Sequence, residues 1–261
     1  MPELPEVEAY RRVAEGVLGR VVRRVEVADP RFVRRARPGP LRAALEGRRF
    51  SAARRRGKLL VLDTEGGTAP RLGLRFGMTG RLLVDGKAGV DRLVYSSDRA
   101  VAAWDRFAID FVGGSRLVVR DPRLLGGVEL DPDEAALGPD ALSVGAAELR
   151  RALETSAVAV KARLMDQRRL AGVGNLIADE VLWRASLAPS RPSSSLTPAE
   201  HRRLHHHLRR TLDDLMARGG SHLGDLMPER TPGGRCPRDG AELVRSTVGG
   251  RSSWWCPEHQ R

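Results

Sequence analysis

The stretch Val160-Lys-Ala-Arg-Leu-Met-Asp-Gln-Arg-Arg-Leu-Ala-Gly-Val-Gly-Asn-Leu-Ile-Ala-Asp-Glu180 contains two helical segments joined by a turn with two glycines, Gly172 and Gly174. Glycine lets the backbone turn tightly because it has no Cβ atom. The second helix follows at once, so its unpaired N–H groups, together with the Asn175 side chain, offer hydrogen-bond donors to a phosphate. A phosphate-binding turn and an ordinary connection between two helices both fit this pattern.

Positive charge is concentrated near the start of the chain. The 261 residues include 45 basic and 33 acidic ones, a formal net charge of +12, and the segment from Arg48 to Lys58 has six positive charges and no negative one. Such a distribution indicates a polyanionic partner, first a nucleic acid and second a membrane surface. A solvated basic surface without a partner is the alternative. Helix-hairpin-helix DNA-binding proteins contain a glycine turn of the kind seen at Gly172.

Several classes of protein are excluded by the composition. No run approaches the roughly 18 to 20 apolar residues that span a bilayer, and the start of the chain is acidic, unlike a signal peptide. Two cysteines cannot build a disulfide scaffold. We therefore expect a soluble, monomeric protein of the cytoplasm, located at the nucleoid if its partner is DNA.

Three patterns follow one another along the chain. Apolar residues at helical spacing after Pro5 predict a leading helix, and the short β-type runs that follow predict an antiparallel sandwich or barrel. The next region is helical, with a capping box from Thr197 to Glu200, and the tail is rich in glycine and contains both cysteines. The fold class is therefore α+β and multidomain. The predicted domains are 1–130, 131–230 and 231–261.

Pro2 and Glu3, near the N-terminus, are residues whose side chains and backbone nitrogen could take part in catalysis. Removal of the initiator methionine would make Pro2 a terminal secondary amine, whose adduct with an aldehyde carbon is a cationic iminium, and this is covalent catalysis of the Schiff-base kind. Glu3 beside it could transfer a proton. In the alternative, the prolines stiffen the start of a helix and the neighbouring glutamates complement its dipole.

The tail contains two pairs of metal-ligand residue types. Cys236-Pro-Arg-Asp239 and Cys256-Pro-Glu-His259 are separated by 16 residues, a spacing typical of a zinc ribbon. Zn²⁺ accepts thiolate, carboxylate and imidazole ligands, so we expect one structural Zn²⁺ per chain at Cys236, Asp239, Cys256 and His259. A metal-free hairpin with two free thiols is the alternative.

Seven motifs, taken in order, resemble those of the bacterial formamidopyrimidine-DNA glycosylase and endonuclease VIII family. The resemblance extends from Met1 to His259, essentially the whole chain. The motifs are Met1-Pro-Glu-Leu-Pro-Glu-Val-Glu8, Arg56-Gly-Lys58, Phe76-Gly-Met-Thr-Gly80, Asp121-Pro-Arg123, Leu137-Gly-Pro-Asp140, the segment from Met165 to Glu180, and Arg251-Ser-Ser-Trp-Trp-Cys256.

The resemblance implies a fold and an activity. The implied fold has an N-terminal β-sandwich domain with a leading helix, a helix–two-turns–helix domain and a C-terminal zinc-finger β-hairpin, with damaged double-stranded DNA in the cleft between. The implied activity is that of a base-excision repair DNA glycosylase and AP lyase. Pro2 then attacks C1′ of the damaged nucleoside, expels the base and drives strand cleavage by β,δ-elimination, with Glu3 as acid and base and Glu6 as a supporting carboxylate.

The resemblance also implies contacts with DNA. Lys58 and Arg251 match residues that contact phosphates near the lesion, and Lys58 also assists elimination. Lys161 and Asn175 match phosphate-binding positions of the helical motif, beside Gly172 and Gly174. Chemistry on a base in duplex DNA requires that nucleotide to be flipped out. The side chains expected to fill the space it leaves are Met78, Arg123 and Leu125.

Three departures from the family pattern affect the expected substrate and metal. Leu125 stands where an aromatic wedge is usual, and only 15 residues separate Gly220 from Cys236, where purine-specific members have a longer loop. The metal ligands are also a mixed set and not four cysteines. The alternatives are the same fold acting on oxidised pyrimidines or on bulky or cross-linked adducts, and a damaged-DNA binder without turnover.

Overall fold

The computed structural model describes residues 2–97, 99–155 and 157–261. They form two compact units, Met1–Glu134 and Ala135–Arg261. Each unit has its own secondary-structure elements. The division into three domains at residues 130 and 230 stays a prediction.

The first unit begins with helix α1 (Leu4–Ala14), as the apolar spacing predicts. Glu3 precedes the helix in extended conformation, and Pro5 lies in its first turn, where a proline removes no intrahelical hydrogen bond. Val7, Tyr10 and Ala14 are completely buried, since they lie three or four residues apart on one face. This face packs against the strands and fixes the position of the residues before the helix.

Among the described residues, two antiparallel sheets follow α1 in this unit, which confirms the predicted sandwich. Their strands are β1 (Val22–Val27), β2 (Phe50–Arg56), β3 (Leu59–Thr64), β4 (Arg71–Arg75), β5 (Arg81–Val84), β6 (Lys87–Ala88), β7 (Asp105–Phe111), β8 (Arg116–Arg120) and β9 (Gly127–Leu130). One sheet has the order β1-β7-β8-β5-β6 and the other the order β2-β3-β4-β9. Side chains of both sheets and of α1 share one hydrophobic core.

A short helix, α2 (Pro38–Leu45), lies between β1 and β2 and was not predicted. It buries Leu41 and Leu45 in the same core. Its sequence begins Pro-Gly-Pro, which is a turn signal when read alone. Prolines within the first helical turn are nevertheless compatible with a helix.

In its described residues, the second unit contains four α-helices and a β-hairpin. The helices are α3 (Ala146–Leu153), α4 (Val160–Met165), α5 (Asn175–Arg184) and α6 (Pro198–Arg218), and the hairpin strands are β10 (Val244–Val248) and β11 (Arg251–Trp255). The capping box predicted for α6 is confirmed, because the Thr197 hydroxyl accepts from the Glu200 N–H at 3.3 Å. Among the described residues, none of the helices combines the length and apolar character needed to cross a bilayer.

Candidate active site

Pro2, Glu3 and Glu6 lie together at the start of α1, and all three are buried. The Glu3 N–H donates to the Glu6 carboxylate at 2.8 Å, and the two residues form a capping box. A carboxylate at this end of a helix is stabilised by the unpaired N–H groups and by the helix dipole. The start of α1 therefore holds a proline and two carboxylates in one small buried region.

Lys58 lies at the two-residue turn between β2 and β3 and is half-buried. The preceding Gly57 has a φ of 57°, which suits glycine at the first central position of such a turn. Arg55 joins this turn to α1, because its guanidinium contacts the Glu8 carboxylate at 3.2 Å and donates to the Gly57 carbonyl at 2.9 Å. Arg55 thus orients the turn that presents Lys58.

Sequence reasoning missed the role of Arg55. It treated this residue as one charge within the basic run from Arg48 to Lys58. Its contact with Glu8 spans 47 positions of the chain. The only local signal is the period of two along β2, which puts Arg55 on the same face as Ala53, a residue packed against the core.

Met78, Arg123 and Leu125 lie on two loops of the first unit that touch each other. Met78 is half-buried, whereas Arg123 and Leu125 are exposed. The backbone of Gly77 packs directly on that of Leu125, since a Cβ atom added to Gly77 would lie 2.5 Å from the Leu125 carbonyl carbon. The structure therefore brings the three predicted void-filling residues to neighbouring loops.

The glycine turn predicted at Gly172 and Gly174 precedes α5 in the second unit. Gly172 has a φ of 116°, and its N–H donates to the Gln167 side chain at 3.0 Å. The Gln167 amide in turn donates to the Met165 and Val173 carbonyls, both at 2.9 Å. Asn175 is the first residue of α5, so its side chain lies beside the unpaired N–H groups of that helix.

The expectation that Lys161 contacts a phosphate stays a prediction, and the structure shows the contacts of this lysine within the protein. The structure buries it completely. Its Nζ atom lies 2.8 Å from the Asp179 carboxylate and donates to the Ser252 carbonyl at 2.9 Å and to the Ser253 hydroxyl at 2.6 Å. Burial without partners would make this charge unstable. Lys161 therefore anchors the C-terminal hairpin to α4 and α5.

Arg251 is exposed at the start of β11, directly after the Gly249-Gly250 turn. Both glycines have positive φ, 58° and 72°, as a tight two-residue hairpin requires. The turn rests on α4, since a Cβ atom added to Gly249 would lie 2.7 Å from the Cβ atom of Ala162. Lys161 contacts Ser252, the residue that follows Arg251 on β11. The contacts at Gly249 and at Ser252 therefore fix the direction of Arg251.

The donor atoms of Cys236, Asp239, Cys256 and His259 all lie within 4.8 Å of one another, a group that could hold a metal ion. The Trp183 indole N–H donates to the Cys236 sulfur at 3.3 Å. His259 directs Nδ1 towards the other donors, and its Nε2 lies 3.3 Å from the Trp183 carbonyl. Burial raises the pKa of the Cys256 thiol to about 11, and a bound cation would oppose this shift because it favours the thiolate.

Comparison with known proteins identifies the family. Residues 1–128 match the model of the formamidopyrimidine-DNA glycosylase N-terminal domain, and residues 137–225 match that of its H2TH domain. A formamidopyrimidine-DNA glycosylase of Thermus thermophilus is 37% identical over 100% of this chain and 98% of its own length. The chain belongs to the formamidopyrimidine-DNA glycosylase family. A Cereibacter sphaeroides member is 36% identical, and all of both chains is covered.

Solved structures of formamidopyrimidine-DNA glycosylases have the same fold. The Lactococcus lactis Fpg complex with DNA containing an abasic site has a TM-score of 0.84 and 26% sequence identity, and the match covers both chains completely. The L. lactis complex with Fapy-dG-containing DNA has a TM-score of 0.83 and 27% identity over 99% of this chain and all of that one. The family and fold inferred from the seven motifs are thus confirmed, whereas the roles of individual residues stay predictions.

Proposed function

We propose that this protein is a bifunctional base-excision repair enzyme that acts on double-stranded DNA containing damaged bases or abasic sites. It releases the damaged base and cleaves the strand by β,δ-elimination. The observation that carries the proposal is the grouping of Pro2, Glu3 and Glu6 at the buried start of α1. Family membership supports the glycosylase step, and a secondary amine beside a carboxyl group supports the lyase step.

In the proposed reaction, Pro2 becomes the N-terminal residue when the initiator methionine is removed. Its nitrogen forms a bond to C1′ while the bond from C1′ to the base breaks, and Glu3 supplies the proton that leaves with the base. The proline nitrogen, now bonded to C1′, gives up its proton, and its lone pair forms the iminium as the C1′–O4′ bond breaks and O4′ takes up a proton. The iminium acidifies the C2′ proton, whose removal breaks the C3′–O bond. Loss of a C4′ proton then breaks the C5′–O bond, and water releases the proline.

Other residues would hold the DNA during these steps. Lys58 contacts a phosphate and assists elimination, while Arg251 grips phosphates beside the lesion. The Gly172 to Gly174 turn and Asn175 bind a further phosphate at the start of α5. Met78, Arg123 and Leu125 fill the space left by the flipped nucleotide. The proposed domains are 1–130 for catalysis, 131–230 for DNA binding and 231–261 for the finger, in a cytoplasmic, nucleoid-associated monomer.

Borohydride trapping on abasic-site DNA tests the proposal, because reduction of the iminium makes the adduct permanent. We expect the wild type to form one covalent adduct, and Pro2→Gly or a protein that retains its first methionine to form far less. Glu3→Gln should release the base more slowly and still form an adduct with a preformed abasic site. A wild type that binds this DNA with steep salt dependence and forms no adduct would instead be a damaged-DNA binder.

We further propose that the metal is Zn²⁺, held by Cys236, Asp239, Cys256 and His259. Tetrahedral Zn²⁺ has ligand distances of roughly 2.0 to 2.3 Å, so donors within 4.8 Å of one another fit around one ion. The ion would stabilise the hairpin that presents Arg251 and would take no part in bond breaking. The second nitrogen of His259, held at the Trp183 carbonyl, provides the usual support for a histidine ligand.

A second candidate is the same chemistry on oxidised pyrimidines or on bulky or cross-linked adducts. The segment after α6 is short and anchored, because Glu180 accepts from the Asp225 and Leu226 N–H groups at 3.1 and 2.9 Å, and Arg218 pairs with Asp225 at 2.7 Å. Such a segment is too constrained to cover a flipped base. A panel of lesion duplexes decides, since efficient release of 8-oxoguanine opposite cytosine would contradict this candidate.

A further inference from the structure

The Asp121 carboxylate is completely buried and makes hydrogen bonds to both loops that carry the void-filling residues. One oxygen accepts from the N–H groups of Leu125 and Gly126 at 2.8 and 2.7 Å. The other accepts from the Arg123 N–H at 3.2 Å and from the Thr79 hydroxyl. The Asp121 side chain thus holds the backbone of the loop that carries Leu125. It is also hydrogen-bonded to Thr79, the residue after Met78.

The first loop needs this support because of its backbone conformation. Leu124 has a φ of 53°, in the left-handed region that residues with a Cβ atom rarely adopt. The two N–H groups that follow Leu124 are those of Leu125 and Gly126, which donate to Asp121. The carboxylate therefore stabilises the conformation in which Leu124 packs on the core and Leu125 extends into solvent.

The second loop is held between Asp121 and helix α1. Thr79 is buried, and the adjacent Gly80 carbonyl accepts from the Tyr10 hydroxyl at 3.2 Å. Tyr10 lies on α1, two turns after Pro2 and Glu3, and its ring packs on Phe76 with the centroids 4.6 Å apart. Burial raises the pKa of Tyr10, so its hydroxyl stays protonated and donates. A continuous set of contacts therefore links α1, the Met78 turn and the Leu125 loop.

We infer that Asp121 and Thr79 are positioning residues that join the two loops into one rigid wedge. The wedge is required when a nucleotide must leave the duplex and is not required for the chemistry at C1′ afterwards. This inference rests on the proposed function. Loops that move independently would have to be ordered against each other during flipping, and that ordering opposes insertion. The hydrogen bond between Thr79 and Asp121 orders the two loops before DNA binds and so removes this entropic cost.

Thr79→Val tests the inference, since it keeps the shape of the side chain and replaces the hydroxyl with a methyl group that cannot donate. We expect base release from duplex DNA to fall by about tenfold or more, in line with the loss of one hydrogen bond to a charged group. Borohydride trapping on a single-stranded abasic site, which needs no flipping, should stay within about twofold of wild type. Thr79→Ser should restore the duplex activity because it restores the donor.

Thr64→Val is the matched control. Thr64 is also buried in the first unit, and its hydroxyl donates to the Pro70 carbonyl at 2.7 Å, away from both loops. It should lower thermal stability as Thr79→Val does and leave the duplex to single-strand activity ratio unchanged. If Thr79→Val also leaves that ratio unchanged, or if Thr64→Val lowers it equally, the inference is wrong.

A second test measures insertion of the wedge into DNA and does not depend on catalysis. A 2-aminopurine placed opposite an abasic analogue should become more fluorescent when wild-type protein unstacks it, and Thr79→Val should weaken this response at saturating protein. A wild type that gives this signal without forming any covalent adduct would refute the proposed lyase function and leave the inference intact. A wild type that forms the adduct but gives no signal would refute the inference alone.

Discussion

The ammonium group of Lys161 shares the Asp179 carboxylate with Arg230, and all three side chains are buried or nearly so. Asp179 also accepts from the Trp254 N–H at 3.2 Å, so one carboxylate joins two cations to the hairpin. Removing one partner of a buried ion pair is costly because it leaves the other charge without compensation. The cost of removing one member of the network therefore depends on which charges remain.

This network predicts unequal effects for its members. Asp179→Asn removes the carboxylate that both buried cations contact and should lower the free energy of unfolding by about 3 to 5 kcal/mol. Lys161→Met should cost less, about 2 kcal/mol, because Arg230 still compensates Asp179. Urea denaturation of the metal-loaded protein measures both. Lys87→Met is the matched control, since Lys87 is exposed, and it should change stability by less than about 0.5 kcal/mol.

Equal stability of Lys161→Met and Lys87→Met would contradict this assignment. The family resemblance identified Lys161 as a phosphate-binding position, and the sequence could not show that Asp179 lies opposite. The same limit applies to Asp121, which was noticed within a motif but not as a hydrogen-bond acceptor. Its partner Thr79 is 42 positions away, and such a contact exists only after the sheets have formed.

At the scale of elements, the start of α6 combines a capping box with an ion pair. Glu200 accepts from the Thr197 N–H at 2.7 Å and pairs with Arg191 at 2.5 Å. The hydrogen bond from Arg191 is the main reason that the pKa of Glu200 falls to about 2. Because the folded-state pKa is lowered, the ionised carboxylate stabilises the protein above the ordinary glutamate pKa near 4.5, and this contribution is lost as pH falls towards 2.

Glu200→Gln should therefore be less stable than wild type at pH 7, by about 1 kcal/mol, because glutamine retains the cap but not the charge. The difference should shrink steadily between about pH 5 and pH 3. Melting temperatures of the two proteins measured across this range provide the test. A difference that is the same at pH 7 and pH 3 would show that the ion pair with Arg191 contributes nothing.

The structure groups the four candidate metal-ligand residues that the sequence predicted in the C-terminal tail, where two pairs with two intervening residues are recognisable without any structure. We expect about one Zn²⁺ per chain, and Cys256→Ser should lower both metal content and DNA affinity. Asp239→Cys should slow zinc loss to a chelator, because a thiolate replaces a carboxylate, whereas Asp239→Asn should speed it. Metal analysis that finds no zinc in protein purified without chelators would contradict the site.

Helix α2 shows where sequence patterns do not determine an element. Its eight residues begin with Pro38-Gly39-Pro40, and only Leu41 and Leu45 repeat at helical spacing. A helix this short is not stable alone and forms because these two leucines are buried against the sheets. Most of the strands were predictable because they are short β-type runs between turn signals, and α2 was not because its stability comes from packing.

At the scale of the whole molecule, the count of 45 basic residues overstates the number of positive side chains available to a polyanion. Arg54 pairs with Asp63 and Glu134, and Arg184 is surrounded by three carboxylates. Composition therefore predicts the class of partner, because it sums the charges of all side chains. It does not show which arginines are paired with carboxylates. Which arginines contact DNA depends on exposure and on the direction imposed by their elements, and Arg251 satisfies both conditions.

Salt dependence separates an arginine that contacts phosphate from one that is only exposed. Each phosphate neutralised contributes a slope of about −0.9 when the logarithm of the association constant is plotted against that of the salt concentration. Arg251→Ala should weaken binding to abasic-site DNA and reduce the magnitude of the slope by about one. Arg31→Ala is the control, because Arg31 is well exposed but paired with Asp29 at 2.6 Å. Its slope should equal that of wild type, and equal slopes for all three proteins would show that Arg251 does not contact a phosphate.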